Sequence, residues 1–441
     1  MNYIKRIGFG MLILGLVVNV QAQEVLTKDI ATQQTLENNL GIKIAKNTQD
    51  IATNNAAILN SGYLPTVTGN AGGNFSRQNI EAQLQNGNST QTDGAETRSY
   101  NASVNVNYTL FDGLGRYYNY KTLKEQSDLS ELDVRETIEN TVLQLFSVYY
   151  EVARLTENFN NLQETLEISK DRLKRAQYQV EYGQSTRLDF LNAQVDVNTD
   201  SINVLNAKQT LENTKRDLNL ILNRDLSIDF QVETSVEFIS GLLMEDMIQR
   251  AKEQNVTLLQ LEKGLKINDY TYKAAKGGYL PTIGLTGSYG WNQNNNNNPA
   301  AFVTQSTVSG ISAGVNLSWN IFDGGRTITS VKNARLNIKN QELLKKQTEK
   351  EVERDIQNAW DTYKNALFVL EAQENNVTTN RNNFNRTEER YKIGQATSIE
   401  FRQAQINLLN AIVARDQAKY TAKLAELQVL QVSGELLNVN F

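Results

Sequence analysis

The chain has 441 residues, a formal net charge of −5, 40% hydrophobic and 21% charged residues, and neither cysteine nor histidine. Those two absences remove disulfides, thiolate chemistry, Ser-His-Asp and Cys-His machinery and His-ligated zinc. The acidic balance argues against nucleic acid as a partner, and no pattern suggests a nucleotide site, a cofactor or an enzyme.

The first element, residues 1–22, reads as an export signal. Lys5 and Arg6 form a basic start, Ile7 to Val18 is an apolar run, and Val20-Gln21-Ala22 fits small-residue cleavage after Ala22. The run is short for a membrane span. Cleavage takes away two cations and no anions, moving the formal charge to −7. Nowhere later does an apolar stretch reach about eighteen residues, the length of a spanning helix. A chain of this kind enters a membrane as strands or not at all.

Beyond the signal, the chain runs one plan twice, at an offset of about 211 to 216 residues. Gly62-Tyr63-Leu64-Pro65-Thr66 returns as Gly278-Tyr279-Leu280-Pro281-Thr282, and Leu110-Phe111-Asp112-Gly113 as Ile321-Phe322-Asp323-Gly324. Gly183-Gln184 with Leu188-Asp189-Phe190 returns as Gly394-Gln395 with Ile399-Glu400-Phe401. The expected organisation is a first repeat over 23–222, a connecting segment over 223–241 and a second repeat over 242–441. Each repeat holds a leading helix, a strand pair and a long helical hairpin.

The strand pairs are expected at 64–76 with 99–111 and at 281–291 with 309–322. Tyr100, Ala102, Val104, Val106 and Tyr108 alternate with polar residues, and so do Ile311, Ala313, Val315, Leu317 and Trp319. Their partners alternate more weakly, from Val67 to Phe75 and from Ile283 to Trp291. Period two marks a strand with one apolar face. The length, about a dozen residues, and the lack of any charge suit a tilted strand in lipid, where a charge costs roughly 2–4 kcal/mol. Tyr100, Val104, Val106, Tyr108, Val315, Leu317 and Trp319 are the candidate lipid-facing residues. Polar stretches from Arg77 to Arg98 and from Asn292 to Thr307 are expected to loop between the strands. Four strands cannot close a barrel, since the smallest closed ones have about eight. Several copies must therefore pool their strands.

Each strand pair leads into a long helical pattern without proline, near Leu114 to Tyr182 and near Arg326 to Ile393. Leu155, Phe159, Leu162, Leu166, Ser169, Leu173, Ala176 and Val180 form a heptad seam, and Val352 through Val377 repeats it. Gly183 and Gly394 suit a left-handed helix end. Thr186 with Asp189, and Thr397 with Glu400, suit capping boxes opening return helices at about Arg187 to Leu222 and Ser398 to Val432.

Taken in order and twice over, these motifs resemble the TolC-like outer-membrane efflux family across nearly all of the chain after the signal. The carriers are the Gly-Tyr-Leu-Pro and Phe-Asp-Gly pairs and the tips Tyr182-Gly183-Gln184 and Ile393-Gly394-Gln395. The resemblance implies a mixed α and transmembrane-β fold. A long helical coiled-coil barrel would join a β-barrel shared between protomers, four strands per chain, in a homotrimer set in outer-membrane lipid. It implies docking of Tyr182, Gly183, Gln184, Ile393, Gly394 and Gln395 to a periplasmic adaptor tied to an inner-membrane transporter. It also implies that Asp189, Glu400 and Tyr391 ring a periplasmic entrance; from local pattern alone, the acids cap helices and Tyr391 lies on the seam. The family's tip arginine two residues after the second glycine is Ala396 here, and Arg187 is the alternative cation. No lipid-bearing cysteine exists.

The leading expectation is thus the outer-membrane duct of a tripartite efflux or type I secretion system. Its cargo (drugs, metal ions, peptides or proteins) and pump class are left open. The alternative is an exported coiled-coil structural protein or adhesin without a pore. An exported carboxylate hydrolase is weaker still, since no pair of positioned acids suggests one.

Overall fold

A computed structural model describes residues 24–83, 87–297 and 303–439; the signal segment lies outside these. The first half comprises strand β1 (Glu24–Leu26), helices α1 (Lys28–Asn38) and α2 (Leu40–Asn55), strands β2 (Thr66–Gln83) and β3 (Ser89–Phe111), and helices α3 (Gly115–Glu181) and α4 (Arg187–Ile221). Strand β4 (Phe230–Val232) comes next. The second half comprises α5 (Met244–Gln254), α6 (Val256–Lys276), β5 (Thr282–Asn296), β6 (Gln305–Ser318), α7 (Arg326–Lys392) and α8 (Ser398–Ser433). No described helix is long and apolar enough to cross a membrane.

The sequence suggests one leading helix per half; the structure divides each in two at an asparagine. Asn39 accepts from Ile42 N at 3.2 Å and Asn255 from Leu258 N at 3.2 Å, so each side chain starts a new helix. Their amides then fasten matching ends, Asn39 to Ile221 O and Asn255 to Val432 O, both at 2.9 Å.

The strands β2-β3-β5-β6 form one antiparallel sheet in that order. Its register puts Val67, Val106, Leu285 and Val315 on one face with their alternating neighbours, and asparagine, serine, threonine and glycine on the other. The apolar face is open: Val104 is 50% exposed, Val315 69% and Ile311 84%. The outer edges of β2 and β6 have no partner strand within the described chain.

Several strand bounds differ from expectation. Most of the supposed loop from Arg77 to Arg98 is ladder, with pairing continuing to Gln83↔Ser89 past a register shift near Gln78. Backbone pairing needs no apolar face, and Arg77 stands opposite Glu96. Likewise β5 and β6 extend through Asn296 and from Gln305, leaving 298–302 outside the described residues. At its other end β6 stops at Ser318, so Trp319 lies beyond the strand and donates its indole N–H to Tyr279 O at 3.2 Å. Gly324 and Gly325 both take positive φ just after it, turning the chain into α7.

The aspartates of the Phe-Asp-Gly pair start the long helices. Asp112 accepts from Arg116 N and Nε at 3.0 and 3.1 Å, and Asp323 from Thr327 N at 2.9 Å and its hydroxyl at 2.6 Å. Acidic groups here meet the unpaired amides of a first turn. Gly113 has φ +69°, and a Cβ there would come 2.4 Å from Gly277 O, where the two halves cross.

Both long helices have 67 residues, about 100 Å at 1.5 Å per residue. In α7 the expected seam is inside: Ile356, Tyr363, Ala366, Leu370 and Val377 are buried. In the tip half of α3 the seam is covered in part: Leu155, Ser169 and Ala176 of the expected seam are buried, and so are Thr165 and Arg172, which lie off it. Leu166 and Leu173 are only half-buried, because α3 there packs on both α4 and α8. The largest apolar core lies mid-length, where Phe146, Tyr149 and Tyr150 meet Leu26, Phe230 and Tyr420. The pair β1–β4 runs parallel beside it, and the Tyr149 hydroxyl donates to Leu26 O at 2.7 Å and accepts from Glu233 N at 3.0 Å.

Candidate functional site at the hairpin tips

Each long helix ends in a Schellman turn. Gly183 (φ +70°) donates to Val180 O at 3.1 Å and Gln184 N to Gln179 O at 2.7 Å; Gly394 (φ +78°) and Gln395 repeat this on Tyr391 O and Arg390 O at 3.1 and 2.8 Å. Tyr182 and Ile393, just before the glycines, are 78% and 68% exposed.

The return helices open on capping boxes. Thr186 N and Oγ1 and Ser185 Oγ donate to Asp189 at 3.3, 2.7 and 2.8 Å, and Asp189 N donates back to Thr186 Oγ1 at 3.3 Å. Thr397 N and Oγ1 donate to Glu400 at 2.7 and 2.9 Å. Hydrogen bonds from Thr186 and Ser185 hold the Asp189 carboxyl below its ordinary pKa; the Thr397 backbone N–H and hydroxyl do the same for Glu400. A carboxylate with a depressed folded pKa stabilises above its unfolded pKa and loses that contribution as pH falls through the folded value. Tip order is therefore expected to hold from pH 7 down to about 4 and to decline below it. Thr186→Ala is expected to cost about 1 kcal/mol locally and to return the Asp189 pKa upward. Hydrogen exchange at residues 187–190 and carboxyl NMR titration check both.

Tyr391 is a packing residue as well as a tip residue. Its ring stacks on Phe401 (centroids 4.8 Å apart, 1° between planes), and Phe401 stacks on Phe384 at 5.5 Å. The Arg175 guanidinium lies 5.4 Å from the Tyr391 centroid. A groove of about 700 Å³ separates the two tips, lined by Tyr178, Tyr182 and Gln184 on one side and Tyr391 and Gly394 on the other. Thus the structure brings Tyr391 and Tyr182 to one groove, while Asp189 and Glu400 each turn back on their own helix start. The turn at Ala396 still has a guanidinium nearby, because Arg390 donates to Gln395 O at 3.0 Å.

Sequence reasoning missed a buried ionic cluster just above the tips. Arg402 of α8 donates through both Nη atoms to Asp200 of α4 at 2.7 Å each. Ser169 of α3 donates to the same carboxylate at 2.6 Å. Arg172 pairs with Asp196 and donates to Ser398 O at 3.4 Å. Gln405 accepts from Arg402 at 3.1 Å and donates to Thr165 O at 2.9 Å. Ser169, Arg172, Asp200 and Gln405 are at most 3% exposed. The available signal was Ser169 itself, a hydroxyl on an otherwise apolar seam.

A family model described as outer membrane efflux protein matches residues 31–224 and 247–435. The chain belongs to the outer membrane efflux protein family. As a member it is an outer-membrane efflux channel that reaches into the periplasm. Outer membrane efflux protein BepC of Brucella suis is 22% identical over 426 residues, 97% of this chain and 89% of that one. Outer membrane protein TolC of Vibrio cholerae is 22% identical over 379 residues, 85% and 83%. The Campylobacter jejuni CmeC outer membrane channel superposes with a TM-score of 0.75 at 20% identity, covering 93% and 86%. This outer membrane efflux protein therefore shares the mostly helical, strand-bearing fold of solved channels, and the family is one of channels, not enzymes.

Proposed function

We propose that three copies of this chain form the outer-membrane duct of a tripartite efflux or type I secretion system. One observation carries the reading: a four-stranded sheet with two unpaired edges and an exposed apolar face, uncharged from Val67 to Phe75, from Tyr100 to Tyr108 and along β5 and β6, continuous with helices about 100 Å long. Unpaired backbone groups in hydrocarbon cost several kcal/mol each. The edge of β2 in one copy is thus satisfied by β6 of the next, and three four-stranded contributions make a twelve-stranded wall. The two repeats, 23–222 and 242–441, supply equal shares of that wall and of the tunnel below, joined through 223–241.

The lipid-facing set is Tyr100, Val104, Val106, Tyr108, Val315 and Leu317, with Trp319 at the interface. Tips Tyr182-Gly183-Gln184 and Ile393-Gly394-Gln395 dock the periplasmic adaptor, and Asp189, Glu400 and Tyr391 border the entrance. The inner-membrane transporter supplies the energy. Chemical cross-linking of outer-membrane extracts is expected to stop at a trimer, and the purified trimer to conduct in planar bilayers. A soluble monomer without conductance would remove the reading.

A further inference from the structure

Next to the sheet, α2, α3, α6 and α7 lie side by side as one helical wall. What covers this wall at mid-length tells its two faces apart. There β1, β4, α1 and α5 form a second layer on one face. Arg135 of α3 donates to Gln254 O at 2.9 Å, Tyr149 meets Leu26 and Phe230, and Ile356 of α7 meets Met247 and Ala251 of α5. Three copies of that layer would plug a lumen, so the covered face is the outside of the duct.

Followed toward the sheet at steps of three and four residues, the outer face changes sign. On α3 the row runs Arg135, Glu131, Asp128, Lys124, Lys121, Tyr117. On α6 it starts at Leu258, beside Ile248 and Ala251 of α5, and runs Glu262, Lys266, Asp269, Lys273, Lys276. On α7, steps of seven lead from Ile356 through Glu349 and Glu342 to Arg335. All six bases above the switch lie within about 15 Å of the helix ends nearest the sheet. Asp269 is the one acid among them, and Lys273 pairs with it at 2.6 Å. The other acids start about 20 Å down. Rings hold the ammonium groups: Lys121 lies 5.8 Å from the Tyr117 centroid, Lys124 4.9 Å from Tyr120 and Lys276 4.5 Å from Tyr272. Among the described residues these three lysines have no carboxylate partner. Just above the collar, Leu64, Leu114, Ile321 and Phe322 are exposed and carry the apolar face of the sheet downward.

We propose that this collar binds the anionic headgroups of phospholipids in the periplasmic leaflet and so sets the height of the protein in the membrane. The proposal rests on the duct reading, which places the sheet in lipid. A tyrosine with a lysine beyond it puts an apolar body near the hydrocarbon boundary and a charge at phosphate depth. Side chains on α3 and α7 lean toward their helix N-termini, here toward the sheet, so Lys121, Lys124 and Arg335 reach up to the phosphates. The attraction fades within a Debye length, and the acids begin beyond it. Sliding outward would bring those acids to the phosphates. Sliding inward would draw Ile321 and Phe322 into water.

The test uses the full-length protein in phosphatidylcholine vesicles with a minority of phosphatidylglycerol. Spin-labelled forms of each lipid report which one the protein surface immobilises. The parent is expected to prefer phosphatidylglycerol at least about threefold at low salt, and less as salt is raised. Lys121→Gln, Lys124→Gln and Lys276→Gln combined are expected to bring the preference near parity, and the three arginine replacements to keep it. Arg98→Gln, beside Phe75 at the opposite end of the lipid face, is expected to leave it unchanged. A preference that survives the combined glutamine variant would overturn the collar, and its loss with Arg98→Gln would move the lipid site to the other leaflet. A parent protein that inserts and conducts without preferring either lipid removes the collar and leaves the duct. One that never inserts removes both.

Discussion

Val315→Arg is expected to destabilise the membrane-inserted protein by about 2–4 kcal/mol, while Asn316→Arg, one residue further along the same strand, is tolerated. The two positions share a depth and differ only in face. Val315 lies opposite Leu285 and Asn316 opposite Gly284 in the β5–β6 ladder. In a pooled barrel the first face meets hydrocarbon and the second meets the aqueous lumen. An arginine on the lipid side must snorkel or drag water into the bilayer, whereas one on the lumen side stays hydrated. Reversible denaturant unfolding from lipid vesicles measures the difference, and the amount recovered in outer membranes supports it. Equal costs at the two positions would mean that neither face of β6 touches lipid.

The asymmetry at β6 also explains what the sequence could reveal. Strict alternation along Ile311 to Leu317, without a charge, is a signal that a chain displays only when opposite faces of one strand meet different media. The long helices were legible for a similar reason: a heptad seam with Gly183 or Gly394 at its end has few other uses. The β2–β3 ladder beyond Arg77 was not legible, because a hairpin held by backbone pairing and wetted on both faces has no hydrophobic period. The split at Asn39 and Asn255 was hidden because asparagine is common both inside and between helices, and only the extended backbone there identifies a cap. The tips were readable residue by residue, since Thr186 with Asp189 and Thr397 with Glu400 are local pairs. The cluster of Arg172, Asp196, Asp200 and Arg402 was not, as its members are joined across up to 202 residues and each alone passes for a solvated charge.

A second buried pair lends itself to measurement, and it concerns the connecting segment. Lys423→Met is expected to destabilise the protein by about 3–5 kcal/mol, and adding Glu426→Met to recover most of that loss. Glu426 is fully buried and Lys423 is 7% exposed; they pair with each other one turn apart on α8. Glu426 also accepts from Ile239 N at 2.7 Å and from the Tyr363 hydroxyl at 3.1 Å, and Lys423 donates to Glu237 O at 2.8 Å. Removing the lysine leaves a desolvated carboxylate whose remaining donors are neutral, and that is the costly state. Removing both charges costs only the contacts to the segment and leaves two apolar side chains beside Val429 and Leu427 in a region already apolar. The two single variants and the double form a cycle whose coupling isolates the pair. Large coupling with a mild double variant would mean that the pair specifies where residues 234–239 lie more than it stabilises the whole. A double variant as damaging as Lys423→Met would instead assign the stability to the bonds that Glu426 makes with Ile239 and Tyr363. Hydrogen exchange at the Ile239 amide separates these outcomes, because it reports the segment's own attachment to α8.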